Sequence, residues 1–154
     1  MELLDATDKR ILELLQEDAT LSVKAIAGTI GLTVSPTYDR ISRLKKEGIV
    51  QKQVMLVSRE KVGLNVSALC LINLKEHSSE LARAFEESAG ALREVTEISR
   101  LSGNFDYMLK VVMPDLAAYN SFLEQKLAPL PNIRQVQSCF EMKEVKRETA
   151  LPLV

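Results

Sequence analysis

The sequence is poor in the residue types that build metal sites and disulfide frameworks, with one histidine and two cysteines among 154 residues. Cys70 and Cys139 lie far apart, each in an apolar, strand-like segment. They are therefore predicted to be buried reduced thiols that form no disulfide. No Cys and His residues have the spacing of a structural zinc site. We predict no metal and no cofactor.

Membrane-spanning and catalytic motifs are also missing. No apolar run approaches the roughly 20 residues that cross a bilayer. The segment Met1–Asp5 is acidic where a secretory signal would be basic and then apolar. No Gly-rich phosphate loop, Ser/His/Asp set or metal-spaced carboxylate cluster is visible, and His77 is interpreted as a solvated loop residue. We expect a cytoplasmic protein that is no enzyme, has no catalytic residues and binds no membrane.

The chain does carry an uneven distribution of charge around a formal net charge of −1. Residues 1–33 hold three basic and six acidic residues, a net charge of −3. Residues 34–61 hold seven basic and three acidic residues, a net charge of +4. With 46% hydrophobic and 27% charged residues the chain should fold. A nucleic acid is expected to bind at this basic segment.

Two short helices are predicted at the start of the chain. The first spans about 6–17 and is capped by Asp5, and the second follows the capping residue Ser22 and ends at Gly31. A short turn separates the second helix from a third. This order is typical of a helix-turn-helix, which places a helix in the DNA major groove.

The third helix is predicted to begin at Thr33 or Ser35, either of which can cap it, and to end at Gly48. Helical spacing places Thr37 and the apolar residues that follow it towards the core. The Thr37 hydroxyl then needs a partner, which a carbonyl one turn back can supply. The polar residues on the opposite face are the predicted reading face. A plain three-helix bundle with a solvated charged face is the alternative.

The predicted DNA-binding residues divide into two sets by their chemistry. The side chains proposed to contact phosphates, which give affinity without sequence information, are Lys24, Arg40, Lys45 and Lys46. The residues proposed to approach base edges, with Pro36 beside them, are Ser35, Tyr38, Asp39, Ser42 and Arg43. Arginine suits guanine, and aspartate can accept a hydrogen bond from cytosine. The predicted partner is double-stranded DNA.

The third helix is followed by a predicted strand at 49–57 and a polar connector. After Gly63 the pattern becomes an alternation of strands and helices. The later strands are predicted at 66–74, 95–102, 106–113 and 133–145, and the helices at 79–89 and 116–126. The order β-α-β-β-α-β is that of a ferredoxin-like domain with both helices on one face of the sheet. A second copy of the chain is predicted to cover the other face in a two-fold symmetric dimer.

The turn Leu-Ser-Gly-Asn-Phe-Asp-Tyr at 101–107 has two interpretations. Gly103 permits a positive φ and Asn104 closes the turn, which would make the segment purely structural. Alternatively, backbone N–H groups of the turn meet a carboxylate while Asp106 receives an ammonium group. The second interpretation describes recognition of a free amino acid.

Four motifs fall in order along the chain. They are Asp5-x-x-Asp8-x-x-Ile11-Leu12-x-x-Leu15, Ala27-x-x-Ile30-Gly31-Leu32-Thr33-x-Ser35, Arg40-Ile41-x-Arg43-Leu44-x-x-x-Gly48-Ile49-Val50 and Ser102-Gly103-x-Phe105-Asp106-Tyr107. Together they resemble the Lrp/AsnC family, the leucine-responsive or feast/famine transcription regulators of bacteria and archaea. The resemblance covers essentially the whole chain.

The resemblance implies an α+β protein with three parts. These are a three-helix (winged) helix-turn-helix domain at 1–50, a linker strand and connector at 51–63, and a ferredoxin-like ligand-sensing and oligomerisation domain at 64–154. It also implies dimers that assemble further, commonly into octamers, with a small amino acid bound between dimers. The effector residues it implies are Leu101, Ser102, Gly103, Asn104, Phe105, Asp106, Leu116, Ser138, Cys139 and Phe140.

The predicted function is that of a sequence-specific transcriptional regulator whose DNA binding or assembly responds to an amino-acid effector. One alternative is a global nucleoid-organising protein that senses little. Another is an enzyme, because siroheme decarboxylases resemble this family in both domains. A single histidine outside the motifs is poor support for the enzyme.

Overall fold

The computed structural model describes residues 4–153, which form two compact units. The first, here called the helical unit, comprises Met1–Leu56 together with Lys146–Val154. The second, here called the sheet unit, comprises Val57–Val145. The positions 1–3 and 154, which the predicted domains include, lie outside the described residues.

The C-terminal tail packs within the helical unit. The Gln16 side-chain amide donates to the carbonyl oxygen of Leu151 at 3.2 Å, and the Leu151 N–H donates to its oxygen at 2.6 Å. Leu153 packs against the buried core of the same unit. The tail therefore associates with the helices, whereas the sequence grouped it with the sheet in a domain at 64–154.

Three helices make the helical unit: α1 (Ala6–Glu17), α2 (Val23–Ile30) and α3 (Val34–Lys46). The α1 N-terminus carries a capping box, in which Asp5 and Asp8 each accept from the other's backbone N–H. Ser22 caps α2 through the N–H of Ala25. Gly31 ends α2 at φ 72°, a left-handed conformation that suits glycine. The three predicted helices are confirmed.

The sheet unit has the predicted β-α-β-β-α-β order, which confirms the ferredoxin-like fold. Its elements are β1 (Val66–Leu74), α4 (Ser79–Gly90), β2 (Val95–Arg100), β3 (Tyr107–Met113), α5 (Leu116–Phe122) and β4 (Ile133–Phe140). A π-helical turn, Leu123–Leu127, prolongs α5. The strands are antiparallel to their neighbours and lie in the order β2-β3-β1-β4.

The two faces of the sheet differ in burial because successive side chains of a strand point to opposite sides. On the helix-covered face, alternate residues of β1 and β3 are buried against side chains of α4 and α5, such as Phe85 and Tyr119. Cys70 lies on this face and is buried, as predicted, whereas Cys139 is only half-buried. The residues of β1 that point to the other face, such as Leu69 and Leu71, are half-buried.

Two strand predictions differ from the structure by more than two residues. Residues 51–58 form no strand, and Met55 is 89% exposed. A strand needs a neighbour whose backbone accepts and donates hydrogen bonds, and the described residues place none beside this segment. Likewise β4 ends at Phe140 and not at Val145, because β1, the strand that it pairs with, begins at Val66.

The described residues contain neither a helix that could cross a membrane nor a metal-binding group of side chains. None of the helices formed by residues 4–153 has the length and apolar character needed to cross a lipid bilayer. Over the same residues, no three side chains of His, Cys, Asp or Glu are grouped so that they could hold a metal ion.

Candidate functional site: a nucleic-acid interface and an effector loop

One face of α3 is buried and the other is open, as the helical spacing predicted. Thr37, Ile41 and Leu44 are buried. The Thr37 hydroxyl donates to the carbonyl oxygen of Thr33 at 2.9 Å, the partner expected one turn back. Thr33 occupies the N-cap position, although its side chain makes no capping hydrogen bond. The exposed predicted DNA-binding residues of α3 are Ser35, Pro36, Tyr38, Asp39, Ser42, Lys45 and Lys46.

Two arginines of α3 are held by carboxylates of α1. Arg40 Nη1 lies 2.7 Å from Asp5 Oδ2 and 2.8 Å from Asp8 Oδ1. Arg43 Nη2 lies 2.6 Å from Asp8 Oδ2. The Asp8 side chain is only 2% exposed, so one buried carboxylate joins both guanidinium groups and ties α3 to α1.

Burial and ion pairing act in opposite directions on the Asp8 carboxyl. Burial alone raises its pKa, but hydrogen bonds from Arg43 and Arg40 outweigh this effect, so the pKa lies below the ordinary aspartate value. The pKa of Arg40 is raised, through its hydrogen bonds to Asp5 and then to Asp8. The network is therefore fully charged at neutral pH.

These ion pairs occupy the two arginines that the sequence proposed as DNA contacts. A bidentate contact of Arg43 with guanine would require the side chain to leave Asp8, and Arg40 is similarly engaged with two carboxylates. Both arginines therefore hold α3 in position beside Asp8. The sequence shows only that the two aspartates and the two arginines share a spacing of three residues, which does not by itself identify them as partners.

The lysines predicted to contact phosphates are placed differently. Lys24, Lys45 and Lys46 are exposed. None of the three takes part in an ion pair with another described residue. Their ammonium groups are therefore accessible to an anionic partner.

The loop at 101–106 joins β2 to β3 and is tied to the end of β1. Asp106 Oδ2 accepts from the Leu74 N–H at 2.8 Å, and the Asp106 N–H donates to Ile72 O at 2.8 Å. Gly103 has a φ of 138°, outside the range that other residues readily adopt. Asp106 Oδ1 lies 3.4 Å from Nδ1 of His77, an exposed residue as predicted. One carboxylate oxygen of Asp106 thus binds the end of β1, and the other faces the exposed His77.

Several backbone donors of this loop are open. Among hydrogen bonds between described residues, none is donated by the N–H groups of Ser102, Gly103, Asn104 and Phe105. Asn104 instead accepts through its carbonyl, from the Asn73 side chain at 2.8 Å. The loop therefore combines open N–H groups with a carboxylate oxygen, the two kinds of group that a zwitterion requires.

The other predicted effector residues lie elsewhere on the sheet. The loop adjoins Tyr107, which pairs with Ile72, whereas Phe140 pairs with Ala68. These β1 positions are four residues apart, which is about 13 Å along a strand. Leu116 follows the far end of β3. One chain therefore does not bring Leu116 and Phe140 to the loop.

The three β4 residues also differ in direction. The Ser138 hydroxyl accepts a hydrogen bond from the buried Tyr119 hydroxyl, so it faces the helix-covered side. The Phe140 ring packs edge-on against Tyr119, with ring centroids 4.9 Å apart. Cys139 pairs with Leu69 and points to the opposite face, as alternation requires.

A cavity of about 580 Å³ lies in the sheet unit, away from the loop. It lies beside α5 and the residues preceding β2, and its charged lining residues are Arg93, Glu94 and Lys126. Lys126 and Glu94 form an ion pair. None of the predicted effector residues lines this cavity. The cavity therefore lies apart from the predicted effector residues.

Two protein families match the two units. The family described as winged helix-turn-helix DNA-binding matches residues 4–51. The family described as the Lrp/AsnC ligand binding domain matches residues 67–151, more than half of the chain.

Characterised relatives are similar along almost the full chain. The DNA-binding transcriptional activator DecR of Escherichia coli is 36% identical over 98% of this chain and 99% of its own length. The transcriptional regulator AzlB of Bacillus subtilis is 37% identical over 98% of this chain and 96% of its own.

Solved structures agree with this result. An AsnC family transcriptional regulator from Agrobacterium tumefaciens superposes with a TM-score of 0.91 at 38% identity, covering 97% of both chains. A transcriptional regulator of Neisseria meningitidis in complex with L-methionine superposes with a TM-score of 0.92 at 31% identity, also over 97% of both chains.

Proposed function

Because the chain belongs to the Lrp/AsnC family of DNA-binding transcriptional regulators, we propose that it reads particular DNA sequences under the control of an amino-acid effector. The observation that carries this proposal is the open face of α3. It presents hydroxyl, carboxylate and ammonium groups while the opposite face is buried in the helical unit. Such a helix suits entry into the major groove.

In this proposal the lysines give the interface its positive charge, and the polar face of α3 gives it its sequence preference. Lys24, Lys45 and Lys46 contact phosphates, which carry no sequence information. The residues that approach base edges are Ser35, Tyr38, Asp39 and Ser42, with Pro36 beside them at the helix start. Arg40 and Arg43 support this surface through Asp8.

Replacing Lys46 with Gln is expected to weaken DNA binding about fivefold at 0.15 M salt, on specific and random duplexes alike. The slope of log Kd against log salt should become shallower by about 0.9 for each bound subunit, because each subunit loses one phosphate contact. Fluorescence anisotropy at several salt concentrations measures both quantities. Lys75→Gln makes the same charge change at the end of β1 and should alter neither. An unchanged slope in Lys46→Gln would remove Lys46 from the interface.

The loop at 101–106 is the proposed effector site. Its open N–H groups suit a carboxylate, and the Asp106 oxygen that faces His77 suits an ammonium group. The L-methionine in the Neisseria meningitidis structure supports an amino acid as the ligand class. We propose that the effector changes DNA binding because it binds one arrangement of the protein more tightly than another.

We further propose that this site is completed by another copy of the chain. Leu116, Cys139 and Phe140 lie too far from the loop of their own chain to contact the same small ligand. The uncovered sheet face, with Leu69 paired to Cys139 and Leu71 paired to Met108, offers an apolar surface for a dimer. Dimers would then assemble to an octamer in the cytoplasm.

We expect the protein to have at least twice the mass of one chain in solution, because the half-buried apolar face of the sheet needs a partner. Light scattering coupled to size-exclusion chromatography at micromolar concentration measures the mass. The mass of a single chain would contradict the proposed dimer and, with it, a shared effector site.

A further inference from the structure

Three apolar side chains are exposed where α3 begins. Val34 is 48% exposed, Tyr38 is 60% exposed and Leu32, in the preceding turn, is 37% exposed. A single exposed apolar residue is ordinary in a folded protein. Three of them lie within seven residues at the N-terminal end of the helix proposed to enter the groove, and they form a small apolar patch. Val34 and Tyr38 are four residues apart and therefore share one side of the helix.

The two flanks of the reading face differ in chemistry. Placed at 100° intervals, Val34 and Tyr38 lie on one side of the polar centre formed by Ser35, Asp39 and Ser42. Arg43 lies on the other side, where it pairs with the carboxylate of Asp8. The exposed centre and the apolar flank contain no arginine, the residue that most often reads guanine.

An apolar side chain in the major groove has one specific target. Among the four bases, only thymine presents a methyl group there, at C5. The N-terminal residues of a recognition helix are the ones that contact base edges in helix-turn-helix proteins. Lys24 and Lys45, both exposed, supply charge complementary to the phosphates. DNA therefore fits this patch better than an apolar protein partner does.

We propose that Val34 and Tyr38 are specificity-determining residues that contact thymine methyl groups, so that the preferred DNA site contains thymine opposite the start of α3. The inference rests on the proposed reading face and names the base that this face selects. Leu32 lies at the edge of the same patch.

The experiment begins by selecting duplexes from a random library with the full chain. Each thymine of the selected site is then replaced in turn by deoxyuridine, which removes only the methyl group. At one or two positions in each half-site, the replacement should raise Kd about fourfold, the effect of losing one buried methyl contact. Fluorescence anisotropy at fixed salt measures each Kd.

Variants locate the contact. Val34→Ala should lose the thymine preference at one of these positions, and Tyr38→Ala at another or at the same one. Val62→Ala, an equally exposed valine of the sheet unit at 56% exposure, should keep the full preference. Because all three side chains are exposed, the variants should fold.

Several results would overturn this inference. A selected site without thymine, or equal binding of thymine and deoxyuridine duplexes at every position, would do so while leaving sequence-specific binding intact. A thymine preference retained in both Val34→Ala and Tyr38→Ala would also overturn it. Binding without any selected sequence would overturn the inference and the proposed sequence-specific function together.

Discussion

Asp8→Asn is expected to lower the free energy of unfolding of the helical unit by about 3 kcal/mol. The Asp8 side chain is 2% exposed and accepts hydrogen bonds from Arg40 and Arg43. Asparagine keeps the size of the side chain but removes the negative charge, so two partly buried guanidinium groups lose their shared partner. Thermal unfolding followed by circular dichroism should show a midpoint lower by about 10 °C or more.

The matched control is Glu13→Gln, which makes the same chemical change in the same helix. Glu13 pairs with Arg10 at 2.9 Å, but their side chains are 43% and 50% exposed. An exposed pair contributes little, so the control should lose less than about 0.5 kcal/mol. Equal losses in the two variants would contradict a special role for the buried carboxylate.

The effect of Asp8→Asn should depend on pH. The pKa of Asp8 is lowered in the folded chain, so its stabilising contribution is fully present above the unfolded-state value of about 3.9. The contribution is lost as the pH falls through the lowered pKa of the folded state. The difference in midpoint between wild type and variant should therefore be constant from about pH 5 to 7 and shrink below about pH 4. A difference that grows in acid would contradict the charged network.

Gly103→Ala is expected to weaken effector binding about tenfold or more. Gly103 has a φ of 138°, and an L-residue held in such a conformation costs on the order of 1–3 kcal/mol. The loop should relax to another backbone path, which redirects the N–H groups proposed to bind the carboxylate. The effector is first identified by a thermal-shift screen of the twenty amino acids against the wild type. Isothermal titration then compares the two proteins.

Gly90→Ala is the control for this prediction. Gly90 lies in α4, where an added Cβ would meet only Ile98 at an ordinary contact distance of 3.9 Å. This variant should bind the effector like the wild type, and DNA binding without effector should be unchanged in both variants. Unaltered effector affinity in Gly103→Ala would place the effector site elsewhere in the sheet unit.

Local patterns in the sequence were sufficient to predict most helices and strands. The capping residues Asp5 and Ser22 begin helices in the structure, as their spacing from the first apolar residues indicated. Alternation of apolar residues predicted β1 with its observed bounds. These features depend on interactions within a few residues of the chain, which a sequence displays directly.

Local patterns could not predict what depends on distant parts of the chain. The strand expected at 49–57 is absent because its apolar alternation has no neighbouring strand to pair with among the described residues. The assignment of Arg43 to guanine did not foresee Asp8, which lies 35 residues earlier. A local sequence pattern shows neither whether a strand has a neighbour to pair with nor which carboxylate an arginine will contact.

The effector residues illustrate the same limit. The sequence resemblance placed the effector between dimers, with the loop at 101–106 and Ser138–Phe140 both contributing, and the strand register separates these two parts within one chain. Register is decided by pairing across the whole sheet and by the turns between strands.

By itself, the sequence determined the two units, the order of their elements and the open face of α3, because periodicity and capping are local properties. Only the tertiary structure decided which charged groups on that face are available. It showed that Asp5 and Asp8 neutralise Arg40 and Arg43, while Lys24, Lys45 and Lys46 stay exposed. The physical reason is that ion pairing in a folded protein depends on distance in space and on burial, and spacing along the chain specifies neither between separate helices.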